Sequence, residues 1–126
     1  MKSNILYIED HPDNMTLVRR VLQAGEYNLI EAKNATQGLA IADSQKVDLI
    51  LLDINLPDID GYEVARRLRS SSKPGLAQIP IIAITANALK GDAAKALDAG
   101  CDLYMAKPID IQQLLERIET FIPSSI

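Results

Sequence analysis

The sequence predicts an α/β fold: one parallel sheet of five strands, with helices on both faces. Three observations point there. Five short apolar runs alternate with five amphipathic helical segments, turn or stop residues separate them, and three of the runs are apolar without interruption. A strand that is apolar throughout has both faces covered, which is the condition of a strand inside a parallel sheet.

Strand 1 is Asn4 to Ile8. Helix 1 begins near Pro12, a residue suited to a first helical turn, and carries Met15, Val18 and Leu22 on one stripe until Gly25 stops it. Strand 2 is Asn28 to Ala32. Helix 2 follows Asn34, with Ala35, Leu39 and Ala42 facing inward. Strand 3 is the run from Val47 to Asp53. Helix 3 starts with a capping box of Asp60 and Glu63, buries Val64 and Leu68, and breaks at Ser70 to Gly75. Strand 4 is Ile79 to Thr85, helix 4 spans about Ala88 to Ala99 with Gly100 as its stop, and strand 5 is Cys101 to Ala106. Helix 5 opens with a second capping box, Asp110 and Gln113. Its stripe is Ile111, Leu114, Leu115, Ile118 and Ile122, and Pro123 ends it.

Strands 1, 3 and 4 are continuous apolar runs, whereas strands 2 and 5 are mixed, as in Tyr27-Asn28-Leu29-Ile30-Glu31. Continuous runs belong in the middle of a sheet. With right-handed crossovers the order 2-1-3-4-5 satisfies this, and its topological switch falls between strands 1 and 3. Ligands bind at such a switch, beyond the carboxyl ends of the strands. Glu9 and Asp10 would then lie beside Asp53.

A chain of 126 residues suits one domain, residues 1–126. Seventeen acidic against thirteen basic residues give a net charge of −4, no basis for binding a nucleic-acid backbone directly, so a protein partner is expected. No apolar run approaches a membrane span, and the N-terminus leaves no room for a signal peptide. The single cysteine, Cys101, fits a reducing compartment and reads as a small buried apolar residue. These features predict a cytoplasmic protein.

Three carboxylates converging at the switch must be offset. Two such charges about 4 Å apart repel by about 4 kcal/mol at an effective dielectric of 20. A hard divalent cation such as Mg²⁺, which binds carboxylate and carbonyl oxygens and keeps several waters, would do so. Thr85 and Lys107 end strands 4 and 5 near the same crevice, adding a hydroxyl and an ammonium. Metal, lysine, hydroxyl and one carboxylate nucleophile make a site for phosphoryl transfer. Singly, the plainer readings are a solvated turn for Glu9-Asp10, a surface charge for Lys107, a turn cap for Asp53 and an ordinary edge-strand residue for Tyr104. His11 reads as a polar rim residue, since a metal site built on it would lack other nitrogen or sulfur ligands.

Across nearly the whole chain, these residues resemble the receiver domains of two-component response regulators. The match rests on Glu9-Asp10 after strand 1, Asp53 with Leu56-Pro57 and Gly61, Thr85-Ala86 after strand 4, and Lys107-Pro108 after strand 5. Lys90-Gly91-Asp92 and Cys101 are similar to the small cell-fate regulators of the DivK type. The resemblance implies a flavodoxin-like (βα)5 three-layer sandwich. It also implies a signalling phosphoprotein that is no enzyme beyond its own phosphotransfer and dephosphorylation. With only Ser124-Ser125-Ile126 after Pro123, a stand-alone receiver without an output domain is expected.

The resemblance makes Asp53 the phosphoacceptor from the phosphohistidine of a sensor histidine kinase or histidine phosphotransfer protein. Asp10, Asp53 and the Asn55 backbone carbonyl would hold Mg²⁺, with Glu9 acting through water; Mn²⁺ or Ca²⁺ could substitute. Lys107 would pair with the phosphoryl oxygens, and its bond to Pro108 is a candidate cis peptide. Thr85 and Tyr104 would be the switch pair, and Asn55 and Asn87 would flank the path of attacking water. The expected output is a changed affinity for an effector protein at the face of helix 4, strand 5 and helix 5. The alternatives are a phosphate carrier or sink in a phosphorelay, and a receiver-like scaffold that works without phosphorylation. A haloacid-dehalogenase-like phosphatase would need an acid where Asn55 stands, and a flavodoxin would need a phosphate-cradling loop where the anionic Glu9 to Asp13 segment lies.

Overall fold

The structure is a computed structural model and describes residues 2–86 and 91–122. Its sheet is parallel, in the expected order β2-β1-β3-β4-β5. The strands are β1 (Asn4–Ile8), β2 (Asn28–Ala32), β3 (Leu49–Asp53), β4 (Ile81–Thr85) and β5 (Leu103–Ala106). The helices are α1 (Pro12–Ala24), α2 (Ala35–Ser44), α3 (Gly61–Arg69), α4 (Asp92–Ala99) and α5 (Ile111–Phe121). Every residue of β3 and β4 is buried, while β2 and β5, at the edges, are partly open. Ile5, Leu6, Tyr7 and Ile8 pair with Leu49 to Leu52 on one side and with Leu29 to Ala32 on the other.

Period-two alternation divides the core into two layers. Ile5, Tyr7, Leu49, Leu51, Ile82 and Ile84 pack with α1 and α5; Leu6, Ile8, Ile50, Leu52, Ile81 and Ala83 pack with α2, α3 and α4. Each fully buried Leu or Ile contributes about 1.5–3 kcal/mol. The central strands therefore hold the site-bearing strand ends on a stiff support.

Three strand starts and one burial differ from the sequence expectation. Strand β3 begins at Leu49 and not at Val47. Ile79 caps a 3₁₀ turn, Leu76–Gln78, and Pro80 has no N–H for a ladder, so β4 begins at Ile81. The Cys101 N–H turns back to the Ala96 carbonyl at 2.9 Å to close α4, so β5 begins at Leu103. Gly91, in the left-handed region at φ 78°, is the N-cap residue of α4 (Asp92–Ala99). Ile111 is 44% exposed and stands off the buried stripe, which Leu114, Ile118 and Ile122 carry. Residues Ala88, Lys90 and Pro123 lie outside the described residues, as does the 124–126 tail. No helix among the described residues is long and apolar enough to cross a membrane.

Asp60 caps α3 by accepting the Tyr62 N–H at 2.7 Å, but Glu63 pairs with Arg66 and Arg67 at 3.1 Å each, so the expected reciprocal box gives way to ion pairs. Helix α2 has a double N-terminal cap. The Asn34 side chain accepts the Gln37 N–H, and Asp58, from the loop after β3, accepts the Ala35 and Thr36 N–H groups at 2.9 Å each and the Thr36 hydroxyl at 2.8 Å. These bonds, the Ala35 N–H foremost, hold the Asp58 carboxyl well below the usual carboxylate range.

A depressed folded-state value means that Asp58 stabilises the fold fully above about pH 4 and loses that contribution as pH falls through the folded value. Asp58→Asn is expected to melt below wild type at pH 7, with the gap closing at strongly acid pH. Thermal melts at both pH values check this. A gap independent of pH contradicts it.

Candidate functional site

The site forms where β1, β3, β4 and β5 end together. Asp53, last in β3, is only 1% exposed. Its Oδ1 accepts the Asn55 backbone N–H at 3.1 Å and lies 3.3 Å from Lys107 Nζ. Glu9 follows β1 and is also buried. Its Oε1 accepts the His11 backbone N–H at 3.2 Å and the Asn14 side-chain amide at 3.4 Å; its Oε2 accepts the Tyr7 hydroxyl at 3.0 Å. Lys107 Nζ stands 3.3 Å from Glu9 Oε2 and so bridges Glu9 and Asp53. Asp10 is exposed and opens the cluster to solvent.

One oxygen from each of Glu9, Asp10 and Asp53 lies within 4.8 Å of the others. A single ammonium against three carboxylates leaves the pocket net negative. Burial first, and the charge of Glu9 second, push the Asp53 carboxyl above its ordinary range, while Lys107 and the Asn55 N–H oppose them only in part. Hard oxygen donors, two buried and one reachable from solvent, are the donor set a divalent cation such as Mg²⁺ takes. The residues fit that ion.

The structure thus brings Glu9, Asp10, Asp53 and Lys107 together, and Asn55 follows directly at the rim. Thr85 is buried at the end of β4, and its carbonyl accepts the Lys107 N–H at 2.8 Å, tying the tips of β4 and β5. The Lys107–Pro108 bond is cis. Tyr104 is half-buried and pairs with Ala83, two residues before Thr85, so it shares a sheet face with Thr85 below the acidic cluster. His11 is exposed at the N-cap of α1 and contributes its backbone N–H. Cys101 is buried, its thiol pushed up to about 11 by burial, as suits an inert core residue. Asn87 lies outside the described residues.

Sequence reasoning missed Tyr7, Asn14 and Asp58. Tyr7 left a signal: a polar-tipped residue inside an otherwise apolar central strand, two positions before Glu9.

Gly61 holds the loop after Asp53 against the strand end. Its N–H donates to the Ile54 carbonyl at 3.0 Å, and a Cβ there would lie 2.5 Å from Ile54 Cα and 2.8 Å from the Asp53 carbonyl oxygen. Both neighbours are backbone, so they can yield only by moving the site. Gly61→Ala is expected to cost about 2 kcal/mol and to shift the amide resonances of residues 53–55. Chemical denaturation and NMR spectra check this, and unchanged spectra contradict it.

Comparison with known proteins gives the same picture. The response regulator receiver domain family matches residues 5–119. The polar-differentiation response regulator DivK of Brucella anthropi is 36% identical over 122 residues, covering 97% of this chain and 98% of that protein. Among solved structures, the receiver domain of the sensor histidine kinase PA1611 from Pseudomonas aeruginosa, which has a magnesium ion coordinated in its active-site cleft, superposes with a TM-score of 0.89 at 35% identity, covering 98% of this chain and 100% of that one. The receiver domain of Saccharomyces cerevisiae Ssk1, solved with the histidine phosphotransfer protein Ypd1, superposes with a TM-score of 0.87 at 28% identity, over 95% of this chain and 88% of that one. With its sheet order, its acidic pocket and these matches in agreement, the chain belongs to the response regulator receiver domain family.

Proposed function

We propose that this chain is a single-domain phosphorelay receiver in which Asp53 accepts a phosphoryl group from a protein phosphohistidine. The observation that carries the reading is the buried Asp53 carboxylate, held 3.3 Å from Lys107 Nζ and clustered within 4.8 Å of Glu9 and Asp10. Asp10, Asp53 and the Asn55 carbonyl are the residues that would hold Mg²⁺, with Mn²⁺ or Ca²⁺ as substitutes. The ion, when bound, supplies charge neutralisation of the carboxylates and of the incoming phosphoryl oxygens.

The chain's own residues do the rest. Asp53 is the nucleophile: its carboxylate oxygen forms a bond to phosphorus as the phosphorus–nitrogen bond to the donor histidine breaks, and the imidazole leaves carrying the bonding electron pair and takes up a proton. Lys107, already bridging Asp53 and Glu9, turns to the phosphoryl oxygens and offsets their charge. Thr85, at the neighbouring strand end, supplies its hydroxyl to the same group.

Output follows from Thr85 and Tyr104 lying on one face of the sheet. A shift at Thr85 changes the packing of Tyr104 and, with it, the face of α4, β5 and α5. The two large apolar side chains most exposed among the described residues support this as an effector surface: Leu97 on α4, 56% exposed, and Ile111 on α5, 44% exposed. The Ssk1 and Ypd1 pairing supports a histidine phosphotransfer protein or kinase as donor. Such a donor and the lone thiol fit a cytoplasmic setting.

Incubation with a radiolabelled phosphohistidine phosphotransfer protein tests the reading. Label is expected on wild type with Mg²⁺, and none with chelator or on Asp53→Asn. Equal labelling of wild type and Asp53→Asn overturns it.

A further inference from the structure

Position 7 is the penultimate residue of the central strand β1 and is fully buried, with Leu51 and Glu31 opposite it on the neighbouring strands. Phenylalanine would fill that space equally well. A buried hydroxyl costs stability unless it is bonded, and the bond this one makes is to Glu9 Oε2, at 3.0 Å. Four groups converge on the Glu9 carboxylate: the Tyr7 hydroxyl, the His11 backbone N–H, the Asn14 amide and the Lys107 ammonium. An ionised carboxylate has about four lone-pair sites, so these donors engage most of the acceptor capacity of Glu9 and leave it suited to a contact through water rather than to direct coordination. The other three donors come from loops or from α1, whereas Tyr7 comes from the sheet and is held by core packing.

The geometry points to Tyr7 as a positioning residue of the acidic pocket: its hydroxyl fixes Glu9, keeps that carboxylate from ligating a metal directly, and holds Mg²⁺ affinity down. The inference rests on the reading of the pocket as a Mg²⁺ site. In the metal-free pocket the Tyr7 bond draws charge from Glu9 and eases its repulsion with Asp53 and Asp10. A divalent ion relieves the same repulsion, so the bond is worth more without metal than with it. A contact that favours the metal-free state lowers affinity for the metal by the difference.

Mg²⁺ titration of the intact chain, followed by amide chemical shifts, tests this without any phosphotransfer. Tyr7→Phe is expected to bind Mg²⁺ at least about threefold more tightly than wild type, because a hydrogen bond to a charged group has been removed from the metal-free state. Tyr27→Phe is the control: its hydroxyl reaches the Ile122 carbonyl at 3.4 Å, in another part of the core, and its loss should leave Mg²⁺ affinity unchanged. In a Glu9→Gln background, replacing Tyr7 should shift the affinity no further, since the cycle isolates the pair.

Equal or weaker Mg²⁺ binding by Tyr7→Phe overturns the inference, as does an equal shift in Tyr27→Phe or an undiminished shift in the Glu9→Gln background. Absence of Mg²⁺ binding by wild type overturns instead the reading of the pocket on which the inference rests.

Discussion

Asp53→Asn is expected to abolish phosphoryl acceptance and, at the same time, to make the metal-free protein more stable than wild type. Asp53 is buried beside Glu9, and burial together with that charge raises its carboxyl above the ordinary range. A raised acid stabilises nothing when charged. Its cost is absent below the unfolded value of about 3.9, grows as pH rises, and is complete above the folded-state value. An amide at 53 removes that charge while keeping the shape. At pH 7 in chelator, the variant should gain about 1–2 kcal/mol, in the range of relieved strain at functional sites, and the gain should vanish at about pH 3. Thermal melts read it directly. Mg²⁺ should raise the melting point of wild type far more than that of the variant. Identical melts of the two metal-free proteins at pH 7 would count against a repelling carboxylate cluster.

Arg69→Ala is expected to give the largest loss of stability of any single surface-reaching side chain. Arg69 ends α3, and its guanidinium donates from Nε to the Gly100 carbonyl at 2.7 Å and from Nη1 to the Ile79 carbonyl at 2.6 Å and the Ala77 carbonyl at 3.1 Å. Nη2 reaches Asp102 Oδ2 at 2.8 Å. Asp102 Oδ2 in turn accepts the Ile81 N–H at 2.8 Å. One planar cation thus joins α3, the 3₁₀ turn, the end of α4 and the starts of β4 and β5. The fit is tight, since a Cβ on Gly100 would lie 2.6 Å from Arg69 Cγ.

Truncation leaves three carbonyls and a carboxylate without this partner. The expected cost is about 3 kcal/mol, below that of a fully buried pair because the side chain is 22% exposed. Arg69→Lys should recover only part of it, because one ammonium cannot serve partners on three sides. Urea denaturation checks this, and a loss under about 1 kcal/mol contradicts it. Labelling at Asp53, at the opposite end of the sheet, should persist under folding conditions.

Those two residues mark what is legible in a single sequence. Asp53 announced itself because an apolar run of β3 length carries a charge to its end, and the contrast of continuous with mixed runs, with right-handed crossovers, then places Glu9 and Asp10 next to it. Arg69 gave no such signal. Its partner Asp102 is 33 positions away, and Asp58 reaches Ala35 across 23. Both bind backbone groups of elements that meet only in the folded chain, so no local spacing encodes them. Strand starts were obscured for a related reason: Ile79 and Cys101 are as apolar as strand residues, but a proline and a helix terminus take their backbones out of the ladder. Ile111 matched the stripe of α5 in spacing but, as the first residue of the helix, stands 44% exposed, whereas Leu114 one turn on is buried.

Phosphorylated protein can be reduced with borohydride, which converts an aspartyl phosphate to homoserine, and then mapped by peptide mass spectrometry. Homoserine at position 53, formed only when Mg²⁺ was present during phosphorylation, is the expected result. Homoserine at another acidic residue, or at 53 to the same extent in chelator, would show that the clustered carboxylates and their cation are not what makes Asp53 an acceptor.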